Sequence, residues 1–241
     1  MQSPQQDFDP ALLRTVECIC EPDPRSTMWV RIDRVAGTTR PVELADHHEA
    51  IAALSLHAGV PQDVALQFET ARNLYLYAWF VYRFYPVAEH QSLACLELAL
   101  RDRLKDDVRA GKVGARGNRP MLRALLKYAV TQGMVKNEGF QTWRNRGEIN
   151  ARTRVEMEKM REMSETNLTE ISWDDSEIEV TAEDLNWDYA NMLVQTLPYI
   201  RNEYAHGSTN LHNLVLHTIQ IVCEIINQLY EAPEASQPAE S

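Results

Sequence analysis

The spacing of the apolar residues constrains this chain more than any other feature. Leu93, Leu96, Leu100 and Leu104 recur at intervals of three and four, the repeat of one face of an α-helix. Leu211, Leu214, Val215, Ile219, Val222 and Ile226 form a similar stripe near the end of the chain. Each stripe has to be buried against other helices. Punctuating residues extend the pattern. Pro61-Gln62-Asp63 opens a helix, because proline suits a first turn, and that helix runs through Phe68, Leu74 and Phe80 to about Tyr85. Pro86 breaks it, and a second helix covers roughly 87–108. A shorter helix spans 121–132 and ends at Gly133. Thr181-Ala182-Glu183-Asp184 offers a capping residue followed by acids, a helix start. That helix passes through Trp187, Met192, Leu193 and Ile200 to about Ala205. Gly207 stops it, and Ser208 or Thr209 caps the last helix.

Two pairs of long helices most economically make a bundle. The predicted fold class is all-α: a four-helix-bundle core with a charged, largely helical insertion and a small N-terminal β-hairpin. Residues 1–60 read as an N-terminal extension. It carries a short helix over 46–57 and a hairpin drawn from the alternation in 14–20 and 28–35 around Glu21-Pro22-Asp23-Pro24. Residues 61–231 form the helical domain, with 109–180 inserted. Residues 232–241, rich in Pro, Ser and Glu, read as a disordered tail.

A hydrophobic fraction of 44% supplies a substantial core, and 9 Gly with 11 Pro exclude a turn-rich β-sandwich. Cys95 and Cys223 fall in apolar helical patterns and read as buried free thiols. Cys18-Ile19-Cys20 lacks the spacing of a zinc knuckle, and nothing completes it. His47-His48 has no acidic or histidine pair at helical spacing. No metal and no cofactor are therefore expected. The most apolar run, Leu74 to Tyr82, lies between Arg72 and Arg83 and is too short to span a bilayer. The first twenty residues lack a basic start followed by an apolar run. These features predict a cytoplasmic chain without membrane contact.

The net charge of −11 argues against a general nucleic-acid binder. Its distribution is uneven. Residues 101–161 carry 16 basic and 7 acidic groups, whereas 162–206 carry 1 basic and 11 acidic. This is either a polyanion surface beside an acidic cover, or two blocks that neutralise each other in the fold. Arg116, Arg119 and Arg123 stand in or beside a Gly-containing loop. They suit RNA backbone contact and equally suit a solvated loop.

Arg201-Asn202-Glu203-Tyr204-Ala205-His206 carries the chemistry. Residues four or five apart on a helix fall roughly on one side. A guanidinium grips phosphate oxygens through a planar fork, and an imidazole moves protons at neutral pH. A helix starting near Ser208 adds free amides that favour an anion. His212 is close enough in sequence to line the same pocket. Arg40…His47 and Arg83…His90 have related spacings, but Pro41 and Phe84 follow those arginines, and Pro86 interrupts the second.

This segment resembles the Arg-polar-x3-His motif of the HEPN superfamily, with Asn202 in the polar position. The order of the helices is similar too, over about 61–108 and 181–231. Leu96 to Leu104 resembles an early helix of such proteins. The resemblance implies a metal-independent endoribonuclease, a toxin or defence effector. In it His206 is general acid or base, Arg201 stabilises the phosphorane-like transition state, and Asn202 orients the His or a phosphate. It implies RNA as substrate, a homodimer with two motifs across a two-fold axis, and a cognate antitoxin or other inhibitory partner. Some toxins of the family carry a Tyr two residues after the His. Ser208 stands there instead, which puts that mode of control in doubt while leaving Ser208 as a phosphate contact. Tyr204 and His212, with Arg116 and Arg119, complete the expected substrate contacts.

Competing readings are a non-catalytic HEPN-like module that binds nucleotide or nucleic acid, and a helical interaction protein. In the plainest case Arg201 only offsets the helix dipole, paired with Glu203 or Asp188. Glu97–Arg101 is then a surface ion pair, and Met157, Met160 and Met163 form one packed face.

Overall fold

The computed structural model describes residues 9–33, 37–114, 119–166, 170, 174, 178–205 and 211–231. The tail 232–241 and residues Arg116, His206, Gly207, Ser208 and Thr209 lie outside them. The described chain is all-α apart from one antiparallel hairpin, β1 (Val30–Asp33) with β2 (Thr38–Pro41). The helices are α1 (Leu44–Ala52), α2 (Gln62–Tyr77), α3 (Phe84–Arg103), α4 (Lys105–Arg109), α5 (Leu122–Thr131), α6 (Gln141–Thr166), α7 (Tyr189–Ala205) and α8 (Val215–Tyr230).

α3 is the hub. It packs against α2, α8, α5 and α7. Its Leu93, Leu96 and Leu100 are fully buried, as the leucine spacing requires. α8 buries Val215, Ile219, Val222, Ile225, Ile226 and Leu229 in the same core. Its far end is tied to α3 by polar contacts. Arg103 Nε donates to the Leu229 carbonyl at 2.8 Å, and Tyr230 Oη donates to Asp102 at 2.9 Å. Within the stretch expected as an insertion, α5 buries Leu122, Leu125, Leu126 and Ala129 and packs on α7 and α3. Gly133, at φ 68°, closes it, as its place in the sequence suggests.

Several boundaries differ from the sequence reading, each because of a contact distant in sequence. The turn between α2 and α3 falls at 78–83, and Pro86 sits in the first turn of α3 rather than breaking a helix. The turn is held from outside. Asp23, fully buried, accepts two hydrogen bonds from the Arg25 side chain at 2.8 Å and one from Tyr82 N at 3.3 Å. Its own amide donates to Trp79 O at 3.0 Å. Trp29 packs its ring against Trp79, Tyr82 and Tyr85. The first hairpin strand expected at 14–20 is instead turn structure, and β1 pairs with 38–41. His47 is a core residue, stacked on Tyr75 at 4.3 Å and bonded to the Tyr75 carbonyl at 2.9 Å.

Thr181-Ala182-Glu183-Asp184 does not start α7, which begins at Tyr189. It forms a polar knot on α6. The Asp184 carboxylate accepts from Thr181 N and Thr181 Oγ1, both at 2.8 Å, and from Arg154 at 3.0 and 3.1 Å. α6 is buried only through Trp143, Gly147 and Ala151, and its remainder is a solvated, charged helix. Met157 and Met160 are each 63% exposed, so they are no packed face. The basic and acidic blocks do meet, at Arg154–Asp184.

Arg154 and the Thr181 bonds hold Asp184 down to about 2, against roughly 3.9 in an unfolded chain. Its contribution to stability is therefore complete above about pH 4 and is lost as pH falls through the folded value. Asp184→Asn should lower the thermal midpoint at neutral pH, with the gap to the parent closing as the pH drops from about 4 to about 2. A gap that is constant across that range contradicts this assignment.

Candidate functional site

Arg201 and Tyr204 occupy the last turns of α7, and both reach α3, which runs antiparallel to it. Arg201 Nη2 lies 3.4 Å from Glu97 Oε2. The other oxygen of the same carboxylate accepts from Arg101, at 2.5 Å from Nη2 and 3.2 Å from Nε. Arg101 Nη2 also donates to the Pro120 carbonyl at 2.9 Å. The end of the basic loop, with the exposed Arg119, is thereby brought beside this cluster. Two guanidinium groups share one carboxylate, so the locus carries an excess positive charge. The expected partners of Arg201, Glu203 and Asp188, are not the ones it uses. Glu97–Arg101 is no isolated surface pair: the two side chains are 15% and 22% exposed.

Tyr204 takes part in a second cluster. Its hydroxyl donates to Glu89 Oε2 and lies 3.1 Å from His212 Nε2. Thr218 Oγ1, on α8, donates to Glu89 Oε1 at 2.6 Å. His212 Nε2 is 3.6 Å from Glu89 Oε2. The Glu89 residue is only 2% exposed. Burial of a charge is tolerated only when its oxygens are bonded, and here a tyrosine, a threonine and a histidine from three elements supply the partners. Burial, the bond to Glu89 and its negative charge push the Tyr204 hydroxyl well above its ordinary value, so it stays protonated as a donor. His90 is near, its ring 6.2 Å from that of Tyr204.

A cavity of about 560 Å³ adjoins this cluster between α7 and α8. Trp187, Leu197, Ile200, Arg146 and His217 line it, and Thr218 belongs to both the cavity and the Glu89 cluster.

Of the residues read as a site, the structure thus brings Tyr204 and His212 together at Glu89 and places Arg201 in the separate Glu97–Arg101 cluster, with Arg119 near it. Asn202 is exposed on the outer side of α7. His206, Ser208 and Arg116 fall outside the described residues. α8 begins at Val215, not at 208. Residues 211–214 are not helical, so the first amides that α8 could offer an anion are those at Val215. Sequence reasoning missed Glu89. The signal was present: Glu89 lies four residues before Leu93, on the stripe that continues through Leu96 and Leu100. A carboxylate on an apolar stripe needs partners.

Cys95 and Cys223 are buried free thiols, each pushed up to about 12 chiefly by burial, and Cys18 and Cys20 are also unpaired. Among the described residues, no helix is long and apolar enough to cross a membrane. Comparison with protein-family models, with curated protein sequences and with solved structures returns no match.

Thr218→Val keeps the shape of its side chain but leaves Glu89 Oε1 without its donor. Stranding a buried polar group costs about 1–3 kcal/mol. Urea unfolding should show a loss of that size, and a loss near zero would mean that Thr218 does not satisfy Glu89.

Proposed function

We propose that this protein is a HEPN-type, metal-independent endoribonuclease in which Arg201 and His206 cleave RNA within a homodimer. The observation that carries the reading is the pairing of functions on the last turns of α7. Arg201, which shares the Glu97 carboxylate with Arg101, and Tyr204, in contact with the His212 imidazole, stand on the last turns of α7, immediately before His206 in the chain. A phosphodiester needs both elements: positive charge for its oxygens and groups that move protons.

In this reading Arg201 holds a phosphate oxygen and gains strength as negative charge develops in the transition state. His206 exchanges a proton with the 2′-hydroxyl or the leaving oxygen. Asn202 and Ser208 steady the phosphate. Arg116 and Arg119 hold flanking phosphates. Trp187, in the neighbouring cavity, offers a ring on which a base can stack. Tyr199 and Met192, exposed on α7, supply apolar surface for a second copy. A role as a cytoplasmic toxin or defence effector, restrained by an antitoxin-like partner, fits such an activity.

One observation favours a second reading. Glu97 holds Arg201 in an ion pair, and an engaged guanidinium suits a HEPN-like module that binds nucleotide or nucleic acid without cutting it.

Arg201→Ala should lower RNA cleavage in EDTA by about 10²–10³-fold, the usual cost of losing a transition-state charge partner. His206→Ala should lower it comparably, with both variants keeping the parental melt. Cleavage at the parental rate by both variants refutes the assignment. RNA binding that survives both, with no cutting by the parent, selects the second reading.

A further inference from the structure

We propose that the cavity between α6, α7 and α8 binds a small aromatic carboxylate, its rings among the apolar side chains and its carboxylate at the end formed by Trp187, Tyr189 and Arg146. The inference goes beyond the cleavage reading and does not depend on it, because it concerns this cavity alone.

The size suits a ligand. The cavity is about 560 Å³, within the roughly 300–1,000 Å³ of small-molecule sites. Leu193, Leu197 and Ile200 line it at helical spacing on α7, and Ile221 lines it from α8. Thr142 and Arg146, four residues apart on one face of α6, add polar groups. The lining follows α7 from Tyr189 to Ile200, about 16 Å of helix. The cavity is therefore elongated, with a polar end and an apolar remainder.

The polar end is short of acceptors. Buried donors are almost always paired, yet the indole Nε1–H of Trp187 is buried without a hydrogen-bond partner among the described residues. Tyr189 Oη is a second such atom, in a residue only 2% exposed. Burial raises the Tyr189 hydroxyl above its ordinary value, offset only in part by Thr142 beside it, so it stays protonated. An indole N–H can only donate, so what this end lacks is an acceptor. Arg146, exposed at the rim, has no ion pair or hydrogen bond among the described residues. No carboxylate lines the cavity. Glu224, whose charge bears on Tyr189, stands outside the lining, and its Oε1 accepts from Gln141 N at 3.3 Å and from Gln220 Nε2 at 3.0 Å. An anion therefore belongs on the Trp187–Arg146 side.

The polar end is held in place by the chain itself. Trp143 Nε1 donates to the Trp187 carbonyl at 3.0 Å. The Trp187 and Tyr189 rings pack 4.8 Å apart, and Phe140 meets the Tyr189 ring edge-on at 5.2 Å. A preformed site loses little to ordering when it is filled. Water in a largely apolar cavity is poorly held, and its displacement favours a ligand with an apolar body. One carboxylate supplies acceptors for the indole and the phenol and a counter-charge for Arg146. Flat rings suit walls built from Trp187, Leu193 and Leu197.

The probe is 2-naphthoate, titrated by calorimetry into the full chain with no RNA present. It should bind at one site per chain. 2-Naphthylmethanol and 2-naphthylmethylammonium, which keep the rings without the anion, should bind about 10-fold more weakly or worse. In nitrogen-15 NMR the Trp187 indole signal, assigned by its loss in Trp187→Phe, should move downfield as its N–H gains an acceptor. Trp187→Phe should weaken binding about 10-fold. Arg146→Gln should weaken it about 5-fold at low salt and less at high salt. Thr196→Trp, which adds a ring to the cavity wall at an exposed position, should abolish it. If Trp187→Phe or Thr196→Trp no longer melts cooperatively, the three-probe comparison and the response of the indole signals in the parent decide. No binding at millimolar 2-naphthoate, equal binding of the three probes, an unmoved indole signal, or binding that survives in a folded Thr196→Trp overturns the proposal. So does tighter binding of uridine 5′-monophosphate than of 2-naphthoate, which would make the cavity a nucleotide pocket. RNA cleavage and its loss in Arg201→Ala are read separately, so either reading can fail without the other.

Discussion

Glu89 is a charge in the middle of the helical core, and the arrangement of three elements follows from satisfying it. An isolated buried carboxylate is too costly to keep. Tyr204 must therefore come down from the end of α7, Thr218 must face inward from the first turn of α8, and His212 must lie close to the carboxylate. Each requirement fixes part of the way the end of α7 and the start of α8 approach α3. The apolar stripes alone would let α7 and α8 slide against α3. The carboxylate sets their register.

A second carboxylate, Glu97, repeats the device two turns further along α3, with arginines in place of hydroxyls. Eight residues of helix span about 12 Å. The two clusters therefore form one polar seam in an otherwise apolar interface. One end holds spare positive charge and the other an imidazole with an open edge.

The sequence was legible where burial dictates spacing. The leucines of α3, the stripe of α8 and the Gly133 stop all follow from local rules, and so does the all-α class with its small hairpin. It was not legible where a distant contact overrides a local preference. Asp23 places the turn between α2 and α3 ahead of Pro86, and nothing near Pro86 announces it. Thr181–Asp184 has the residues of a helix cap, but Arg154 recruits the carboxylate and makes a turn of it. The candidate site divides in the same way. Arg201 and His206 stand out by spacing and chemistry. Glu89 is seen only when a carboxylate is recognised as out of place on an apolar stripe, and its partners lie 115 and 129 residues away.

The central claim is that the seam serves RNA transesterification. The measurement that meets it most directly is the chemistry of the ends left when purified protein and RNA are incubated with EDTA. The account predicts 2′,3′-cyclic or 3′-phosphate ends opposite 5′-hydroxyls, absent with Arg201→Ala. Intact RNA, or 5′-phosphate ends that persist in that variant, would contradict it.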